Sequence, residues 1–319
     1  MRILIAITLL IGATVSAQTK PPEGAGEIRL TYLGQAGYEI TDGKTVVLVD
    51  PVTTMVKLRR DTTPANLNVP KEISSVLTPD TEAIDSKIKR VDYILITHGH
   101  YDHLLDAPYI SNKTGAIIIG HETTANIARA YDVPPQKLLI VRGGEDFDFG
   151  SFSLRVIPSL HTAIAHKFYY SDPVASQLGG YAPKGLKAPL HGSDFAEGGD
   201  LMYLLRIAGH QVLIMGSMNY IEREVDGLRP DIAIVGALAN RHEIYDYTGR
   251  LMRALGHPAT VFPTHWLYCG APAWQESMTK NVQQFAEEVK AASPQAHVVI
   301  PQCFEPTAIG PRSTNNRQY

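Results

Sequence analysis

Cysteine is scarce in this chain of 319 residues: only Cys269 and Cys303 occur, too few for a disulfide-built scaffold. In an oxidising compartment they either pair, closing a loop worth on the order of 3–4 kcal/mol, or stay as two unpaired buried thiols; spacing alone leaves both open. Blocks of Lys and Arg are missing as well. The formal net charge is −3 and no basic run is long enough to track a phosphate backbone, so nucleic acid is excluded as a partner. Internal repeats, low-complexity tracts and linker-like stretches are also lacking, so nothing divides the interior into two domains.

What is present begins with MRILIAITLLIGATVSA, residues 1–17: a basic start at Arg2, an apolar run from Ile3 to Val15, and small residues at Val15, Ser16 and Ala17. This pattern predicts a secretory signal peptide cut after Ala17 and a periplasmic or secreted protein. The run is shorter than the ~20 apolar residues a bilayer needs, so no stable membrane span is expected after cleavage. Loss of the single charge on Arg2 takes the net charge from −3 to −4. Residues 18–319 then form one domain.

Short apolar or β-branched runs predict strands at Ile28–Leu33, Tyr38–Thr41, Val46–Val49, Tyr93–Thr97, Ala116–Ile119, Leu138–Val141 and Phe152–Ile157. Further strands are expected at Leu201–Ile207 and Gln211–Met215, joined as a hairpin through Ala208-Gly209-His210, and at Asp231–Val235, Thr260–Phe262 and His297–Ile300. Helical periodicity marks Glu122–Ala130, Tyr247–Leu255 and Trp274–Ala292. Two β-rich halves with helices between strands predict an α/β fold of sheets packed on each other and covered outside by helices. Residues 52–90 and 162–199 resist the pattern; stretches of that length inside a domain are functional loops or disorder.

The densest chemistry is ILITHGHYDHLLD, residues 94–106, with His98, His100, Asp102 and His103 inside six positions. The spacing does not fit one helical face, whereas a strand running into a loop, with Gly99 allowing a sharp turn, lets ring nitrogens and a carboxylate converge. Neutral imidazole and carboxylate suit Zn²⁺. Three more residues stand at expected strand ends: His161 after SLRVIPSL, Ser217 after QVLIMG and His265 after ATVFPT. Strand ends are where α/β folds gather ligands from distant parts of a sequence.

In that order, HGHYDH after a strand, the later His161, the VLIMGS strand end and the THW at His265 resemble the metallo-β-lactamase superfamily. TYLGQAGYEI followed by VVLVDP, and DIAIVGA followed by VFPTH, are similar to its ascorbate-6-phosphate lactonase-like branch, with Asp50 matching the acidic residue those proteins hold beside the site. The resemblance implies a four-layer αβ/βα sandwich with metals in a groove along one edge. It assigns His98, His100 and His161 to one zinc and Asp102, His103 and His265 to a second, so that one or two ions bind. Two departures stand out. The branch ends the VLIMGS strand in Gly-Asp, whose carboxylate bridges both metals, where this chain has Gly216-Ser217; one subclass of true metallo-β-lactamases also has Ser here with the same ligands. Gln35 stands where the lactonase-like proteins carry His.

The implied chemistry is hydrolysis of an ester, lactone, amide or phosphodiester bond in a small-molecule substrate by metal-activated hydroxide. Asp102 is expected to ligate and to orient the nucleophile, and Ser217 to hydrogen-bond the metal's water. His242, in ANRHEIYDY, either donates a proton to the leaving group at the same edge or is a plain surface histidine. Residues 162–199 are expected to roof the groove, with Lys167, Lys184 and Lys187 either on a solvated face or available to an anionic substrate, and His166 and His191 outside the ligand set. Two other readings stand beside this one: a β-lactamase, and a metal-binding module without catalysis.

Overall fold

The computed structural model describes residues 26–55, 75–162, 179–270 and 275–311. The expected signal peptide lies outside them. In the first half the strands are β1 (Ile28–Gly34), β2 (Gly37–Thr41), β3 (Val46–Val49), β4 (Tyr93–Leu95), β5 (Ile117–Gly120), β6 (Leu138–Ile140) and β7 (Asp146–Asp148). In the second half they are β8 (Phe152–Ser159), β9 (Asp200–Ile207), β10 (His210–Ile214), β11 (Ile232–Gly236), β12 (Thr260–Thr264), β13 (His297–Val298) and β14 (Pro306–Ile309). They form two seven-stranded sheets, ordered β14-β1-β2-β3-β4-β5-β6 and β13-β12-β11-β10-β9-β8-β7. Each sheet is part antiparallel meander and part parallel: β3 to β6 run parallel in the first, and β10 to β13 in the second.

Helices α1 (Thr81–Lys87), α2 (Tyr101–Leu104), α3 (Ala107–Thr114) and α4 (Glu122–Ala130) fall in the first half, and α5 (Glu222–Val225), α6 (Tyr247–Ala254) and α7 (Gln275–Ala292) in the second. The side-chain alternation of the parallel strands sets the layers. Val47, Val49, Leu95 and Ile119 face the other sheet, in one core with Leu204, Leu213 and Ile234. Their neighbours Leu48, Ile94 and Ile118 point the other way, onto Ile84, Leu104, Ile110 and Ile127 of the covering helices. On the far side Leu251, Val282 and Phe285 from α6 and α7 join the core of the second sheet. This is the four-layer sandwich, as expected. Among the described residues no helix is long and apolar enough to cross a membrane.

The hairpin between β9 and β10 turns on Ala208 and Gly209, both at positive φ (48° and 82°), as a two-residue loop whose twist matches its strands. Sequence patterning misses α1, α2, α3, α5, β7 and β14. Part of the 52–90 segment that resisted assignment is α1, about two turns capped by Asp80, whose Oδ1 accepts from Ala83 N at 2.9 Å. β14 is an edge strand beginning at Pro306, half-buried at best, so no apolar run betrays it. The two cysteines are bonded: Cys269 and Cys303, with Cα atoms 5.8 Å apart, tie the chain after His265 to the segment leading into β14.

Candidate metal centre

The site forms where the two sheets end together. Asp50 follows β3 and His98 and His100 follow β4 in the first sheet, while Ser217 follows β10 and His265 follows β12 in the second; all are C-terminal ends of parallel strands. His161 comes from the end of β8, beside them. Gly99 serves here for a reason other than the sharp turn expected of it. Its φ is not in the left-handed region; a Cβ there would sit 2.2 Å from the carbonyl oxygen of Ala196. The glycine allows two backbones to touch.

All six residues expected as ligands meet in two groups of three. In each of the sets His98–His100–His161 and Asp102–His103–His265, one donor atom per residue lies within 4.8 Å of the others. The His98 and His103 ring centroids are 3.8 Å apart, so the two groups adjoin. The remaining ring nitrogens are oriented by the chain. His103 Nδ1 lies 2.9 Å from Asp50 Oδ2, and His161 Nδ1 donates to the carbonyl of Thr162 at 2.9 Å. Thr97 donates to Asp50 through its backbone N (2.8 Å) and its hydroxyl (2.7 Å). The contacts of His103 and His161 fix which nitrogen of those two rings is free for an ion.

The residues fit a divalent cation. His98 Nε2 and His265 Nδ1 are buried with no hydrogen-bond partner. Burial, reinforced by the field of His103 and His100, pushes His98 well below the usual histidine range, and burial and His100 do the same to His161, so both rings are neutral. Burial opposes ionisation of Asp102, but His103 and His265 outweigh it and hold the carboxyl below the ordinary range. Burial likewise opposes charge on His103, yet Asp102 and Asp50 raise it to about 9. Neutral imidazoles with an ionised carboxylate suit a divalent cation, and an ion held at His103 would take the place of its proton.

His100, Asp102, His103, His161 and His265 line a cavity of about 170 Å³ together with Tyr101, Thr162, Ser217, Met218, Leu238 and Asn240. Ser217 is at the centre as expected, its Oγ accepting from Thr162 N at 2.8 Å. His242 is not. Its Nε2 lies 3.1 Å from Glu288 Oε1 on α7 and its side chain is about half exposed, so the expectation of a proton donor at this edge is corrected. The 3₁₀ turn Ala239–Glu243 sends Asn240 toward the cavity and His242 the opposite way. Of the segment 162–199, expected as a roof, the structure describes residue 162 and residues 179–199. Residues 179–199 pack on α4 and the 75–77 segment, through Asn126 Nδ2 to Ala182 O (2.9 Å), Ala188 N to Ala130 O (3.1 Å) and Leu77 N to Leu190 O (2.9 Å). Residues 163–178, with His166 and Lys167, lie outside the described ones. Lys184, Lys187 and His191 are exposed, as expected.

Sequence reasoning missed Thr97 and Asp200. Asp200 opens β9 and is buried, with Oδ2 3.2 Å from His98 Nδ1. The one signal was an acid directly before the apolar run of β9. Gln35 is buried beside the centre, its backbone carbonyl accepting from His265 N and its Nε2 unpaired.

The family model of the metallo-beta-lactamase superfamily matches residues 31–265. A metal-dependent hydrolase of Christiangramia forsetii is 30% identical over 139 residues, 43% of this chain and 50% of that protein; the match thus spans about half the relative's length. Among solved structures, the metallo hydrolase Igni18 of Ignicoccus hospitalis shares the fold with a TM-score of 0.55 at 15% identity, over 89% of this chain and 98% of that one. The diiron β-hydroxylase CmlA of Streptomyces venezuelae shares it with a TM-score of 0.51 at 15% identity, over 91% of this chain and 55% of that one. Fold, strand-end ligands and family model agree, and the chain belongs to the metallo-β-lactamase superfamily.

Proposed function

We propose that this chain is an exported zinc-dependent hydrolase that cleaves an ester, lactone, amide or phosphodiester bond in a small-molecule substrate. The observation that carries the reading is the pair of adjoining three-residue donor groups opening on one cavity. His98, His100 and His161 would hold one ion, and Asp102, His103 and His265 a second. Zinc in such a site supplies a Lewis acid and lowers the pKa of water from 15.7 toward about 7.

The chain's own residues do the positioning. Asp102, ionised beside His103 and His265, is an acceptor that orients the attacking water. The Ser217 oxygen already accepts from Thr162 N, so its O–H is left to donate into the cavity. Met218 and Leu238 form an apolar wall that excludes bulk water from one side, which strengthens every polar contact inside. Export is supported by the Cys269–Cys303 bond, of a kind that persists in oxidising compartments.

The test is the mature chain, residues 18–319, with metal quantified in the same sample that is screened against chromogenic lactones, esters, phosphodiesters and β-lactams. The reading expects one or two zinc ions per chain and hydrolysis that a chelator abolishes and zinc restores. Metal-replete protein that turns over none of these would favour a binding module, and turnover of β-lactams alone would favour a β-lactamase.

A further inference from the structure

A second, narrower space adjoins the metal cavity, and Tyr101 and Asp102 line both. Its other walls are largely apolar: Leu33 at the end of β1, Val52 and Met55 after β3, and Tyr268 and Cys269 just after His265. Its volume is about 10 Å³, against about 170 Å³ for the metal cavity. A single water needs about 10–15 Å³, so the slot takes a group about the size of one methyl. Met55 is the most exposed of the lining residues, at 39%, and its Sδ stands 4.0 Å from where a Cβ on Gly270 would lie. It therefore reaches from one wall to the chain beyond the other.

The walls are held in place from behind. Asp106, fully buried, accepts through Oδ2 from Thr53 N at 2.7 Å and Thr54 N at 2.9 Å, and Val52 N donates to Asp50 O at 2.9 Å. On the other side the bond to Cys303 fixes Cys269, and Gln35 N donates to Leu267 O at 2.8 Å. Gly34, at φ 103°, packs so near that a Cβ on it would meet Cys269 N at 3.1 Å. A slot tied by backbone hydrogen bonds and a disulfide is formed before any substrate arrives, as ligand sites usually are.

We propose that this slot is a specificity subsite, which takes a methyl-sized apolar substituent beside the scissile carbonyl while the larger part of the substrate stays in the metal cavity. The inference rests on reading that cavity as a hydrolytic metal centre, and it narrows the substrate to a carboxylic ester, lactone or amide with a short, uncharged group on one side. Asp102 belongs both to a donor group and to the slot wall, so a bond held at the centre has the slot for its neighbour. Among the described residues that line the slot the one charged side chain is that same carboxylate, so an anionic substituent finds no counterion among them. A longer chain has to displace Met55 or remain in water.

The experiment compares the zinc-loaded mature chain with its Met55→Ala variant on p-nitrophenyl acetate, butyrate and hexanoate, each rate divided by that of hydroxide alone. The aryl group is too large for the slot, so the acyl chain is what is offered to it. In wild type kcat/KM should fall about 10-fold or more from acetate to hexanoate, and Met55→Ala, a change at an exposed side chain, should recover most of that fall. Binding is read separately from the Met55 methyl resonance, assigned by its loss in the variant, during titration with the non-hydrolysable ketones acetophenone and hexanophenone. Acetophenone should shift it at about 10-fold lower concentration than hexanophenone. Equal kcat/KM for the three esters, the same preference in Met55→Ala as in wild type, or a resonance that acetophenone does not move would each overturn the subsite. Turnover of phosphodiesters or β-lactams but of none of these esters would overturn it and leave the hydrolase reading standing, whereas metal-replete protein that turns over nothing would overturn both.

Discussion

Arg241 is fully buried, and its removal should cost more than that of any exposed charge in this chain. Its guanidinium donates through Nε and Nη2 to the two oxygens of Glu288 at 2.9 and 2.8 Å, and through Nη1 to Ala237 O at 2.8 Å and Asn281 Oδ1 at 2.7 Å. Arg241→Met keeps the length of the side chain and deletes the charge, leaving Glu288, 27% exposed, with only His242 and Thr248 as partners. Breaking a buried pair in this way costs about 3–5 kcal/mol. In Arg241→Met/Glu288→Leu no stranded charge remains. That double variant should recover most of the loss, short of about 1–3 kcal/mol for the acceptors left on the β11 end and Asn281. Urea unfolding of the three proteins is the assay. Burial alone would raise the Glu288 carboxyl, but Arg241, His242 and Thr248 overcome that and lower it to about 2. Its contribution is thus complete above the ordinary glutamate range and lost as pH falls toward 2, and the wild-type advantage over Arg241→Met should shrink along that descent. A single variant within about 1 kcal/mol of wild type at pH 7 would refute the reasoning.

His98→Ala and His161→Ala should each abolish the tighter metal site, because two remaining donors hold zinc poorly; equal metal content after dialysis in wild type and both variants would sink the assignment. Replacing Cys269 and Cys303 together by Ser should destabilise the oxidised protein by about 4 kcal/mol on the chain-entropy model, given their sequence separation of 34; urea unfolding that differs by under ~1 kcal/mol would contradict it. Ser217→Asp should place an anion between the two donor groups, raise zinc stoichiometry toward two and change turnover rather than simply increase it. Wild type that already holds two zincs tightly, and is unaffected by the substitution, would show the donor set complete without it.

The parallel strands were legible because each side of them buries apolar residues, so VVLV, YILIT, VLIM and IAIV read as runs. The metal ligands were legible because imidazoles crowded at a strand end have no cheaper explanation. What escaped did so for stated physical reasons. α2 begins at Tyr101, inside the metal motif, so the periodicity that would mark it is occupied by ligands. α3 carried usable signals, Pro108 in its first turn and Gly115 at φ 79° after its end, but few apolar residues between them. Asp200 could not be found by spacing at all. It lies about a hundred residues from His98 in sequence, and only the pairing of β9 with β8 and the clamp on Thr97 bring it there. His242 was misjudged because a 3₁₀ turn changes direction every residue, and Asn240 took the cavity side.

Several local conflicts meet at this edge. Gln35, Asp50 and His265 all have φ in the left-handed region, at 53°, 40° and 56°, where residues with a Cβ are strained. Each such residue costs on the order of 1–3 kcal/mol and persists only where its surroundings hold it. Here the strained loops hold one another: Gln35 N donates to Leu267 O at 2.8 Å, and His265 N donates back to Gln35 O at 2.6 Å. The unpaired Nε2 of His98, Nδ1 of His265 and both Asp200 oxygens lie in the same region. A chain does not keep strain and orphaned donors together unless something bound there offsets them. An ion held by the folded state alone would do so through mass action, adding about 4 kcal/mol at a thousandfold excess over its Kd, and it would act on the very loops where the metal-free fold is weakest.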